Sequence, residues 1–178
     1  DSTLMVREAM AQDLQSVAFG TIWDPMAVRL CHAAGEGARL NLRFGGKTSS
    51  TAGDPVDATV TVLKNQREAV QSFGISIVPL GDCSVIRLGG IDVVLNSNRS
   101  QAFSPDLFTN LGIDITAKKV LVVKSTNHFY GAFSKIAAEV LYASVDGPYP
   151  NDPKTTPYTR LTRPLWPIVS NPFEMALA

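Results

Sequence analysis

His128 stands where a continuous apolar run, Val120 to Val123, meets a helical pattern that opens after Asn127. Such a junction, beyond the carboxyl end of a strand and at a helix amino terminus, is where open α/β sheets place ligands. An imidazole in the first turn of a helix has its charged form disfavoured by the local dipole, which suits a neutral ring that exchanges hydrogen bonds with a substrate. His128 is therefore the catalytic candidate, although a histidine that satisfies its own helix terminus explains the position as well. Lys124 and Ser125 share the strand end, and Arg99 with Gln101 closes a hairpin strand that could face the same cleft. These four are candidates for holding a substrate, against simpler accounts: a helix cap for Ser125 and a solvated strand end for Arg99 and Gln101.

Other patterns carry less. Gly46-Lys47-Thr48 ends like a phosphate-binding loop, but Asn41 stands where that motif needs glycine and a loop follows instead of a helix, so a hairpin turn is expected. The two histidines, His32 and His128, are far apart and lack the HExxH spacing, and no cysteine pair accompanies them. No metal site is expected in this chain, and His32 reads as a packed or surface side chain. No GxSxG elbow surrounds any serine, so Lys124-Ser125 near His128 makes no nucleophile and base pair. Cys31 and Cys83 sit among apolar neighbours and read as buried, reduced thiols.

The elements that position these residues alternate between two periods. Val6, Met10, Leu14 and Val17 recur at helical spacing behind Asp1 or Ser2 as cap, giving a helix over 2–16. Val17 to Ile22 reads as a short strand. Asp24-Pro25 opens a helix over 25–34 that Gly35 stops. In 38–44, Leu40, Leu42 and Phe44 alternate with Arg39, Asn41 and Arg43, the pattern of a half-exposed strand. Further strands are expected at 58–63, 73–80 and 83–88, and Gly89-Gly90 between VIRL and IDVVL marks a tight hairpin. A short helix over 105–111 follows, then the Val120 to Val123 strand, read as buried on both faces, and a helix over 127–141 carrying Phe129, Phe133, Ile136 and Val140. The fold class is α/β (mixed α+β), one domain with a mixed sheet, antiparallel hairpins in its middle and flanking helices. Its body spans 1–147. From Gly147 onward seven of the eleven prolines fall in 32 residues, so 148–178 is expected as an extended tail packing on the same domain.

Composition excludes some partners. Of 178 residues, 45% are hydrophobic and 18% charged, ordinary for a globular protein, and sixteen basic residues balance sixteen acidic ones, which argues against nucleic acid or an anionic membrane. No apolar run approaches the length that spans a bilayer and no leader opens the chain, so a cytoplasmic protein is expected. Asp1-Ser2-Thr3 has no initiator methionine and runs straight into a helical pattern, as if the chain began inside something larger.

The runs TIWDPMAV with CHAAG (21–35), GGK (45–47), GD at 81 and 82, GGIDVVL (89–95), Arg99 with Gln101, VVKSTNHF (122–129), Pro157-Tyr158 and RPLWP (163–167) add up to a resemblance. In this order they resemble the C-terminal domain of the MlrC family, the microcystinase C-like proteins also grouped as M81 metallopeptidases, over essentially the whole chain. Departures at Ile115, where proline is common, and Thr156, where leucine is usual, concern turns and packing. The resemblance implies a hydrolase of peptide or amide bonds whose zinc ligands lie in a larger N-terminal domain. The loop joining the two ends in Gly-Asp-Ser-Thr, of which Asp1-Ser2-Thr3 remains. It implies that zinc belongs to the full-length protein and that this chain alone is inactive. His128, Lys124 and the Asp1 loop would close one side of the cleft on a peptide substrate. A structural or homo-oligomerisation module, with the tail around Trp166 docking on a partner, is the alternative.

Overall fold

Strand alternation and apolar runs resolve into one six-stranded mixed sheet. The computed structural model describes residues 2–143, 154, 156–161 and 165–173. The strands are β1 (Val17–Trp23), β2 (Arg39–Phe44), β3 (Val56–Phe73), β4 (Ser76–Leu88), β5 (Ile91–Asn96) and β6 (Val120–Val123). They lie in the order β2-β3-β4-β5-β1-β6. β2 through β5 are antiparallel neighbours, whereas β1 pairs parallel with both β5 and β6. The antiparallel half is thus local in sequence, and the parallel half threads β1 between two strands made much later.

Local chemistry explains several elements. In β2, Leu42 and Phe44 are buried while Arg39, Asn41 and Arg43 are exposed, as the alternation requires. Gly89 turns at φ +56 between β4 and β5, a conformation that only glycine adopts freely. The helix α2 (Pro25–Ala34) starts where Asp24 accepts a hydrogen bond from Ala27 N at 3.0 Å, with proline at its first position, and ends at Gly35 with φ +86.

Other expectations need correction. The helix over 2–16 is α1 (Leu4–Ala11). Asp13 and Ser16 take positive φ and turn the chain into β1, leaving Leu14 exposed. Its cap is Thr3, whose side chain makes no cap bond and donates instead to Asp54 O at 2.7 Å. Residues 58–63 are only the first part of β3, which runs on to Phe73, and the strands expected at 73–80 and 83–88 are one strand, β4, that starts at Ser76. The polar stretch around Glu68 hides this continuity because three register shifts between Val62 and Val70 spoil the period of two. The helix over 105–111 is α3 (Asp106–Thr109), continued by single turns to Gly112. That over 127–141 shrinks to α4 (Tyr130–Phe133), because Phe129 and Phe133 are buried but Ile136 is 52% exposed, and a short helix persists only as far as its packed face. β6 is not buried on both faces: it pairs with β1 alone among the described strands, and Val120 is exposed. An apolar run reports its faces, not whether a neighbour covers its outer edge.

Two cores flank the sheet. On one face Val6, Ala9, Ala27, Val28 and Cys31 of α1 and α2 pack on Phe19, Ile22, Val93 and Leu95. On the other, Leu107 and Phe108 of α3 and Phe129 and Phe133 around α4 pack on Ala18, Val85 and Val94. Gly20 is required there, since a Cβ would stand 2.7 Å from the Phe108 ring. The chain divides into two compact units, residues 1–141 and 142–178. About half of the proline-rich run lies outside the described residues, and no helix of the described residues is long and apolar enough to cross a membrane.

Candidate functional site

β1, β5 and β6 run parallel, so their carboxyl ends lie at one edge of the sheet, with Trp23 opposite Asn96 and Val123 opposite Gly20. The segments that follow these ends carry most of the candidate residues. Ser97 accepts the Trp23 indole N–H at 2.8 Å, and the Arg99 guanidinium lies over the Trp23 ring, 5.3 Å from its centre. Lys124 is held by its backbone: its N–H donates to Gly20 O at 3.2 Å and its carbonyl accepts from Ala102 N at 3.1 Å. Its half-buried ammonium has a pKa lowered by burial, and Arg99 nearby lowers it further.

Gln101 gathers the remaining candidates. Its Oε1 accepts from Ser125 Oγ at 3.0 Å and from Thr126 N at 3.2 Å, and lies 3.4 Å from His128 Nδ1. The His128 ring meets Phe103 and Phe73 edge-on, with centres 5.8 and 5.4 Å apart. Phe73 comes from the far end of β3, so the tip of the long β3-β4 hairpin reaches over this cluster. His128 is exposed and precedes a four-residue helix. Its setting is therefore not the helix dipole expected from sequence but one amide oxygen and two aromatic edges. Ser125 donates to Gln101 and does not cap α4, which has no side-chain cap bond.

Gln101, Ser125 and His128 are thus brought into contact, with Arg99 beyond β5 and Lys124 beyond β6, on either side of β1. Asp1 lies outside the described residues. Sequence reasoning missed the aromatic partners Phe73, Phe103 and Trp23, which nothing in their local pattern distinguishes from core residues. It also read Asp24 only as a cap. That buried carboxylate further accepts Gly45 N at 2.9 Å and Lys47 Nζ at 2.7 Å, so the Gly45-Gly46-Lys47 turn closes on it instead of on a phosphate.

Among the described residues, no group of three or more His, Cys, Asp or Glu is placed to hold a metal ion. His32 contacts Cys83 O through Nε2 at 3.0 Å, on α2. Cys31 and Cys83 are buried and free, and burial pushes their thiols up to about 11 and about 12, so neither is a ready thiolate.

Comparison with known proteins fits this architecture. The chain is 30% identical over 167 residues to Microcystinase C of a Sphingomonas species, a match that covers 94% of this chain and 32% of that protein. It superimposes with a TM-score of 0.77 on the crystal structure of a candidate metallopeptidase from Mesorhizobium sp. BNC1, at 24% identity, covering 94% of this chain and 34% of the other. The chain therefore spans about a third of the length of both relatives. Residues 1–160 match the family described as the MlrC C-terminus, and the chain belongs to that family.

Proposed function

We propose that this chain is the C-terminal domain of a zinc-dependent hydrolase of peptide or amide bonds, cytoplasmic, in which the carboxyl ends of β1, β5 and β6 close one side of the catalytic cleft. The observation that carries the proposal is the convergence of Ser125, Thr126 and His128 on the single oxygen Gln101 Oε1. An amide oxygen only accepts, so the proton facing it sits on His128 Nδ1 and leaves Nε2 a lone pair for a substrate N–H or hydroxyl. Gln101, Ser125 and Lys124 orient the peptide, and the two phenylalanine edges restrict water around the ring. The described donor set does not fit a metal, so the zinc ligands belong to an N-terminal domain of the full-length protein, facing the Asp1 end.

The test is to express the chain with the N-terminal region that its relatives possess, then measure bound metal and peptide hydrolysis. Stoichiometric zinc and hydrolysis are expected there. The 178-residue chain by itself, after dialysis, should retain no zinc and cleave nothing; tight zinc in that fragment overturns the division of labour.

A second reading, an oligomerisation module, is favoured by the β3-β4 hairpin tip, where Ile75 is fully exposed and Ile77 is 65% exposed. A monomeric full-length enzyme that keeps its activity removes it.

A further inference from the structure

The described cations are not used alike. Arg43 meets Asp57, Lys47 meets Asp24, Lys64 meets Glu36, Arg67 meets Asp82, and Arg87 and Lys118 share Asp92. Arg99 and Lys124 form no ion pair with any described carboxylate, although they follow β5 and β6 at the same edge of the sheet, with only β1 between those strands, close enough for Arg99 to act on Lys124. Two neighbouring cations repel, and burial of one removes the water that would screen them. Arg99 is nonetheless held against the Trp23 ring, itself tied to Ser97, and the backbone that carries Lys124 is fixed by bonds on both of its sides. A preorganised pair of this kind, a planar fork beside a point charge, matches an oxyanion with two oxygens.

We propose that Arg99 and Lys124 form a carboxylate subsite, so that the peptides this domain receives carry a free carboxylate that docks at the ends of β5 and β6. The proposal rests on the substrate-cleft reading above and names the substrate class. The ion pair places the charged end of the substrate beside Gln101 and His128, which leaves its amide portion toward the Nε2 lone pair. Nothing covalent happens at the subsite itself.

The experiment measures binding to the full-length protein by calorimetry at low salt. The probes are N-acetyl-Ala-Ala, its C-terminal amide, N-acetyl-Glu amide and inorganic phosphate. The subsite predicts that N-acetyl-Ala-Ala binds about tenfold or more tightly than its amide, that added salt weakens this preference, and that Arg99→Gln and Lys124→Met each erase it. N-acetyl-Glu amide binding equally well assigns the carboxylate to a side chain, and its failure assigns it to the peptide terminus. Arg99 is exposed, so Arg99→Gln tests the subsite even where Lys124→Met does not fold. Equal binding of acid and amide, a preference that survives Arg99→Gln, or phosphate alone binding overturns the proposal. Carboxylate preference without hydrolysis by the zinc-loaded protein removes the hydrolase reading and keeps the subsite, and hydrolysis without preference does the reverse.

Discussion

At the amino ends of β5 and β6, Asp92 lies 2% exposed with Arg87 and Lys118 each at 2.6 Å. At the carboxyl ends of the same strands, Arg99 and Lys124 stand with no described carboxylate between them. Each end presents two cations, yet only one end has its anion supplied by the chain. Burial alone pushes the Asp92 carboxyl up, and the hydrogen bonds from Arg87 and Lys118 overcome it, so its pKa falls below the ordinary range. For Lys124 burial prevails, and its pKa falls below the ordinary lysine value. The contrast teaches that a charge cluster completed within the chain secures the fold, while one left incomplete is available to something that arrives from outside.

The most damaging change should be Asp92→Ala, which strands Lys118, whose side chain is 11% exposed, without its partner. About 3 kcal/mol of stability is expected to go, read by urea unfolding, against under about 0.5 kcal/mol for Arg99→Gln. Equal losses would make both ends structural and erase the distinction. In the full-length enzyme, His128→Ala should lower kcat by about 10²-fold with zinc content and melting temperature unchanged. If His128 only packs against Phe73 and Phe103, the same variant loses about 1 kcal/mol of stability and none of its turnover per folded molecule.

A smaller effect separates the two ends by pH. Because the folded Asp92 pKa is depressed, its contribution to stability is fully present above the unfolded carboxyl value, about 3.9, and is lost as pH falls through the folded one. Acid unfolding of Asp92→Ala should therefore lack the steep limb below about pH 4 that the parent shows. At the other end the lowered Lys124 pKa means that carboxylate binding should weaken at a pH below that at which an ordinary lysine loses its proton. An alkaline limb at the ordinary lysine position would place Lys124 outside the site.

Much of this arrangement is legible in the sequence because it depends on local chemistry. Asp24-Pro25 and Gly35 bound α2, the leucines of β2 face inward, and Gly89 turns its hairpin, each through preferences that neighbouring residues do not alter. Lys124, Ser125 and His128 could be picked out because a strand end meeting a polar turn is a local pattern too. Gln101 as their meeting point was less visible, since the contact to Ser125 joins residues on different strand ends. Phe73 over His128 was not legible at all: the bulged middle of β3 conceals that one strand carries the chain from Val56 to that ring. The same holds for Asp92, whose partner Lys118 lies across the sheet.

The insertion of β1 between β5 and β6 also has a temporal meaning. Val17 pairs with Ile91 and with Val120, roughly 70 and roughly 100 positions later, so the central strand of the parallel half is made long before either neighbour exists. At a ribosomal pace of about 5–20 residues per second, it waits on the order of ten seconds for the second of them. The β2-β3-β4-β5 meander closes through short-range contacts and is free to assemble first, leaving an open edge at β5 into which β1 must be drawn back. The strand ends on which Arg99, Gln101 and Lys124 stand are then aligned only in the last stage of folding, so a nascent chain holds an assembled meander before it holds a site.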